Sequence, residues 1–126
     1  MSYKNPKLTR AFAHKTNTSI KEVEAIFTEL KKFLFLSAIS KEMLSPSNKV
    51  DELWHQFILF TKDYRNFCIT FFGKFIEHEP FITDVNEREN GNPPESYLRT
   101  YILLYVFFEE VPNSKYWDEV LEFDKA

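Results

Sequence analysis

The chain has few of the residues that form cross-links, tight hairpins or membrane spans. Its 126 residues include one cysteine and two glycines. A single thiol, Cys68, excludes an intramolecular disulfide, as is common for proteins of a reducing compartment. The longest unbroken apolar stretch, residues 101–108, is much shorter than the roughly 20 residues that cross a bilayer. The N-terminus also lacks the apolar run of a secretory signal. We therefore expect a cytoplasmic protein without a membrane segment.

The net charge is small, but its distribution is uneven. The chain carries a formal charge of −3, with an excess of basic residues in residues 1–32 and of acidic residues in residues 109–126. A slightly acidic chain argues against general nucleic-acid binding. Local RNA binding through the basic N-terminal region stays open as an alternative. That region contains Lys4, Lys7, Arg10 and Lys15.

Aromatic side chains are abundant. They make up 17% of the chain, and this content excludes intrinsic disorder. The length is that of one ordinary domain, so we predict a single helical domain over residues 1–126, with residues 1–18 as a segment free to move. The aromatic content exceeds what a small core needs, which predicts surface anchors for a protein partner. The candidate anchors are Tyr3, Phe81, Tyr116 and Trp117.

Helical periodicity dominates the N-terminal half of the chain. Asn5 followed by Pro6 predicts a short helix that ends near His14. Ser19 begins a capping box, and apolar residues then recur at helical spacing over residues 19–39. The same spacing over residues 49–72 indicates either two helices that meet near Thr61 or one continuous helix bent there.

The C-terminal half contains the strongest helix breakers. Gly73 is expected to end the preceding helix, and several prolines predict a long loop at about residues 77–96. A further helix opens at Pro94 and Glu95 and continues to residue 108. Ser114 is then placed to cap a last helix. Because no segment alternates as a strand does, we predict an all-α fold: a compact bundle of five or six helices.

Residues 50–80 carry a recognisable pattern. The pattern is Val50-Asp51-x-x-Trp54-His55, then Tyr64-x-x-Phe67-Cys68, then Ile76-Glu77-His78-x-Pro80. It resembles the glycine-rich domain-containing protein-like family of bacteria and plants, whose pattern ends in Ile-His-His-x-Pro. The resemblance implies helices in the same order and no agreed biochemical activity. This chain departs from the family pattern where Glu77 replaces a histidine, and it also lacks the glycine-rich segment.

Four residues of this stretch form a chemically sensible ligand set. Asp51 and His55 are four residues apart and therefore share one face of a helix. If helix pairing brings Cys68 and His78 to that face, the four side chains can bind zinc tetrahedrally. Glu77 is an alternative carboxylate ligand. Asp51, His55, Cys68 and His78 are therefore the candidate ligands of a metal site.

Two other interpretations of these residues stay open. Their spacing matches no compact zinc signature, so Asp51 can instead fix the tautomer of His55 and leave three protein ligands with an open position. Alternatively, Asp51 and His55 form a structural hydrogen-bonded pair, and Cys68 acts as a small apolar side chain. A nucleophilic Cys68 is disfavoured because it lies in an apolar stripe without an oxyanion-binding turn.

No catalytic constellation stands out from the sequence. The leading hypothesis is therefore a non-enzymatic helical module that binds a protein partner, with the polar cluster organising its core. The alternative is a zinc-binding protein or a metal-dependent enzyme that uses the same cluster.

Overall fold

The described part of the chain is built from helices. A computed structural model describes residues 2–78 and 94–121. Its five helices are α1 (Pro6–Thr16), α2 (Ile20–Ile39), α3 (Asn48–Leu59), α4 (Thr61–Phe72) and α5 (Glu95–Phe108). These described residues contain no strand, which confirms the predicted all-α fold class. None of the five helices is both long and apolar enough to cross a membrane.

Side-chain caps begin the first three helices. The Asn5 side chain accepts a hydrogen bond from the Leu8 amide at 3.1 Å, and Pro6 occupies the first position of α1. Ser19 accepts from the amide of Glu22 at 3.1 Å, and Ser47 accepts from the amide of Val50 at 3.3 Å. Each cap satisfies an amide that has no partner within its own helix. The predicted starts of α1 and α2 are confirmed.

Residues 49–72 form two helices and not one bent helix. Phe60 interrupts them with φ −85° and ψ 68°, values outside the helical region. Its amide donates to the carbonyl of Phe57 at 3.0 Å, so the backbone turns tightly before α4 begins at Thr61. Gly73 ends α4 in the left-handed region, at φ 73°, as predicted.

The predicted helix after Ser114 does not form within the described residues. Residues 114–117 instead make a single turn, in which the amides of Tyr116 and Trp117 both donate to the carbonyl of Asn113 at 2.9 Å. The turn ends at Trp117 because the side chain of this residue enters the core. Its ring is fully buried, and its indole N–H donates to Glu29 at 2.9 Å. Burying this ring fixes the path of the chain more strongly than helix propensity does.

Helix α2 is the centre of the bundle. It packs against α1, α3 and α5, and it buries an almost continuous apolar face. The fully buried residues of that face are Val23, Leu30, Phe33, Leu34 and Leu36. Because α1, α3 and α5 all pack against α2, this helix determines how the first turns of α3 and α5 are placed relative to each other.

The segment between α2 and α3 is tied to α5. Ser45 donates its amide to the Thr100 hydroxyl at 3.0 Å, and its own hydroxyl lies 2.6 Å from that of Ser96. The Arg99 guanidinium donates to the carbonyl of Met43 at 2.7 Å. These three contacts hold residues 43–45 beside α5.

The N-terminal residues take part in the core. Leu8 and Phe12 of α1 are buried, and the Tyr3 ring lies 4.8 Å from that of Phe67. The Lys31 ammonium donates to the carbonyl of Tyr3 at 2.8 Å. Residues 2–18 are thus joined to the rest of the bundle by apolar and polar contacts, while the single domain over residues 1–126 stays a prediction. Most of the predicted 77–96 loop lies outside the described residues.

Removing the α1 cap tests how strongly this N-terminal region is attached. Asn5 is buried and also donates to Asp63 on α4 at 3.1 Å, whereas the Ser19 cap is exposed and its side chain makes only a local bond. We expect Asn5→Ala to lower the free energy of unfolding by about 2 kcal/mol and Ser19→Ala by about 1 kcal/mol. Urea denaturation monitored by circular dichroism measures both. Equal losses would contradict the tertiary role of Asn5.

Candidate metal centre

Helix α3 supplies two of the predicted ligands. Asp51 and His55 stand one turn apart on the same face, and the Asp51 carboxylate lies 3.7 Å from Nε2 of His55. Asp51 is in the first turn of α3, where the helix dipole stabilises a negative charge. The neighbouring Trp54 points into the core and holds this helix in its rotational position.

The segment after α4 brings in the third residue. From Gly73 the chain runs back towards α3, and Ile76 is buried on the way. The Tyr64 hydroxyl donates to the carbonyl of Ile76 and accepts from the indole N–H of Trp54 at 3.0 Å. Two residues later, Nε2 of His78 is hydrogen bonded to the Asp51 carboxylate at 2.8 Å.

Asp51, His55 and His78 thus form one cluster, called here the Asp–His–His cluster. One ligand atom from each residue lies within 4.8 Å of the others. The two imidazole rings are 4.3 Å apart, and the His78 ring also meets Trp54 edge-on at 4.3 Å. Two ligands of a tetrahedral zinc ion are roughly 3.4 Å apart. The two imidazole nitrogens lie 2.8 Å and 3.7 Å from different oxygens of the Asp51 carboxylate, distances of the same order.

The cluster is accessible from solvent. The side chains of His78, Asp51 and His55 are 17%, 32% and 58% exposed. All three line a cleft of about 880 Å³. Its walls come from the end of α2, the segment before α3, the first turns of α3, residues 74–78 and the start of α5. A solute can therefore reach the cluster without displacing the core.

Cys68 lies outside the cluster, which corrects the predicted four-residue set. Its thiol is fully buried on the inner face of α4, hydrogen bonded with Tyr64 and with the backbone of Ile76. Burial raises the pKa of this thiol, which keeps it protonated and unreactive. The turn at Gly73 brings the following segment over Cys68, so the thiol lies beneath the chain that leads to His78 and not beside the imidazole.

Glu77, the alternative carboxylate, is also not a member of the Asp–His–His cluster. It is exposed and lines the same cleft. A metal ligand set that the described residues bring together is therefore one carboxylate and two imidazoles.

The predicted aromatic anchors are not free surface groups. Trp117 and Tyr116 are buried, and Tyr3 is half-buried between rings of three neighbouring elements. Phe81 lies outside the described residues. Among the phenylalanines that the structure describes, the exposed ones are Phe71, Phe75 and Phe107. Composition alone predicted that some rings stay exposed, but helix register decides which ones.

Tyr64 is a positioning residue that sequence reasoning missed. It belongs to the motif, yet nothing in its spacing indicated that its hydroxyl holds the backbone two residues before His78. Burial raises the pKa of this phenol strongly, so the group remains a hydrogen-bond donor.

The family comparison corrects the resemblance suggested by the motif. A family model described as UCP032817-like matches residues 2–106, and the chain belongs to that family. The similarity to the glycine-rich domain-containing family is therefore wrong. It rested on the motif of residues 50–80 and on the order of the flanking helices, and the sequence already departed from that pattern at Glu77. No curated protein and no solved structure matches the chain.

The buried position of Cys68 leads to a direct chemical prediction. We expect no measurable reaction of the native protein with a disulfide reagent at about pH 8, and full reaction in denaturant, because desolvation disfavours the thiolate. Absorbance of the released thiol measures both rates. Tyr64→Phe should speed the native reaction by loosening the segment above the thiol. Rapid labelling of the native wild-type protein would contradict this placement.

Proposed function

We propose that this member of the UCP032817-like family binds a divalent transition-metal ion through Asp51, His55 and His78. The observation that supports the proposal most directly is the convergence of three ligand atoms within 4.8 Å at the wall of an open cleft. Two of these residues share a rigid helix, and the third is delivered by a segment that Tyr64 fastens to the core.

The donor types restrict the choice of ion. Two imidazole nitrogens and one carboxylate oxygen suit zinc, iron(II) or cobalt(II), whereas calcium and magnesium prefer all-oxygen sites. Three protein ligands leave at least one coordination position open. Structural zinc sites are usually closed by four protein ligands, so this set is typical of an ion that also contacts a solute.

The three ligand groups already face one another. Asp51 is hydrogen bonded to His78 at 2.8 Å and lies 3.7 Å from His55, and an ion bound between the three side chains would take the place of that hydrogen bond. Both imidazoles must be neutral to bind a metal, and affinity must therefore fall as the solution becomes more acidic.

The proposal includes a cytoplasmic location. A free, buried thiol suits a reducing compartment. Cell fractionation followed by immunodetection checks it, and a signal confined to an extracellular fraction would contradict it.

Metal titration tests the proposed site. Protein purified without a histidine tag should bind about one equivalent of cobalt(II) or zinc by isothermal titration calorimetry. Asp51→Asn, His55→Gln and His78→Gln should each weaken binding at least about tenfold because each removes a ligand. His14→Gln is the matched control, since His14 is an exposed histidine on α1. Its affinity should equal that of the wild type.

The outcomes of this titration separate a metal site from a structural network. Absence of saturable binding by the wild-type protein would overturn the proposal, as would equal affinity in all four variants. A structural network alone predicts that Asp51→Asn lowers the melting temperature and that chelator has no effect on the wild type. Bound metal predicts that chelator lowers the wild-type melting temperature.

A second candidate function is binding of a protein partner through α5. Helix α5 is strongly apolar, and two of its apolar side chains, Val106 and Phe107, are 59% and 50% exposed. Phe107 meets Phe35 of α2 edge-on at 6.3 Å, so its ring is held in place at the surface. Ordered, exposed aromatic side chains of this kind are typical anchors at protein interfaces.

Charge insertion tests this second candidate. In affinity purification, the amount of a specific partner that copurifies with the double variant Val106→Glu and Phe107→Glu should be at least about tenfold lower than with the wild type. Leu59→Glu is the control because it alters an exposed apolar residue at the end of α3. Identical retained proteins for all three chains would overturn the candidate, and so would the absence of any specific protein from the wild type.

A further inference from the structure

We infer that the cleft beside the Asp–His–His cluster takes a small organic acid whose carboxylate coordinates the metal ion while its apolar body lies against the cleft wall. The inference rests on the proposed metal site and names the class of molecule that site would hold.

The open coordination positions face the cleft. Asp51, His55 and His78 all line it, and the core side of the cluster is closed by the ring of Trp54. An ion held by these three residues therefore has its remaining positions towards the cleft. A carboxylate oxygen is a good ligand for the same ions that imidazole binds.

The cleft has the size of a small-molecule site. Its volume of about 880 Å³ is near the upper end of the range of roughly 300–1,000 Å³ that is usual for such pockets. A metal ion with one or two waters fills only a small part of that space. Room is left for a ligand with a carbon skeleton.

Much of the wall is apolar. The side chains that provide this surface are Met43, Leu44, Trp54, Phe75, Ile76 and Tyr97. Several of them belong to the core cluster, so the wall is held rigid from behind. An apolar ligand body gains by leaving water for such a surface. Ser37 and Asn48 add a hydroxyl and an amide that can orient a polar group.

The charge of the occupied site favours an anion. Asp51 neutralises only half of the charge of a divalent ion. Lys74 lines the cleft and makes no hydrogen bond or ion pair with any residue of the described ranges. Glu42 and Glu77 also line the cleft, and Glu42 shares Arg99 with Glu95, at 2.9 Å and 3.5 Å. The positive groups that a ligand carboxylate would meet are therefore the ion itself, only half neutralised by Asp51, and Lys74.

Cobalt(II) provides a spectroscopic test because its visible absorption reports changes in coordination. The cobalt-loaded protein is titrated with benzoate, acetate and benzyl alcohol. We expect benzoate to change the spectrum and to bind at least about tenfold more tightly than acetate, since its ring lies against the apolar wall. Benzyl alcohol has the same ring and no charge, and it should leave the spectrum unchanged at the same concentrations.

Variants separate the roles of charge and metal. Lys74→Gln should weaken benzoate binding about fivefold while cobalt(II) affinity stays the same, because Lys74 is not a metal ligand. Lys62→Gln, an exposed lysine of α4 that does not line the cleft, is the matched control and should change neither constant.

Each outcome decides a stated point. If cobalt(II) binds and no carboxylate alters its spectrum, the inference is wrong and the metal site stands. If benzoate and acetate bind equally, the apolar wall does not contact the ligand and the inference is also wrong. An unchanged benzoate affinity in Lys74→Gln overturns the charge argument. Failure of cobalt(II) to bind overturns both proposals.

Discussion

The hydrogen bond from the Tyr64 hydroxyl to the carbonyl of Ile76 is the constraint on which the candidate site depends. It fastens a non-helical segment to α4, and Trp54 of α3 completes the arrangement by donating to the same hydroxyl. A buried carbonyl without this partner would lose its hydrogen bond to water and gain nothing in return. Because burial raises the pKa of Tyr64, the phenol keeps its proton and continues to donate. This hydrogen bond fixes the backbone two residues before His78, and the contacts of His78 itself complete its placement.

The site combines two kinds of support. Asp51 and His55 are fixed by the rotation of one helix, and that helix is set by the burial of Val50, Leu53 and Phe57. His78 is held by contacts outside any helix, chiefly those with Asp51 and Trp54. Local geometry therefore determines two of the three residues of the cluster, and tertiary packing determines the third. Such a division lets a ligand set form on an all-α scaffold without a compact sequence signature.

Sequence reasoning succeeded where the physics is local. The caps at Asn5 and Ser19, the stop at Gly73 and the shared face of Asp51 and His55 all depend on residues within four positions. It failed where packing decides. Trp117 ends the chain's turn by entering the core, and the segment after Gly73 covers the Cys68 thiol, so Cys68 does not join the two imidazoles as a ligand. The choice between one helix and two over residues 49–72 depended on a single backbone conformation at Phe60, which no periodicity reveals.

The contact between Asp51 and His78 joins positions 27 residues apart and encloses the whole of α4. Closing a loop of that length costs conformational entropy, which the contact has to offset. With one cysteine, this chain has no covalent means of closing it. The carboxylate–imidazole pair therefore acts as a reversible clasp around α4, and an ion bound by both side chains would close the same loop with coordinate bonds.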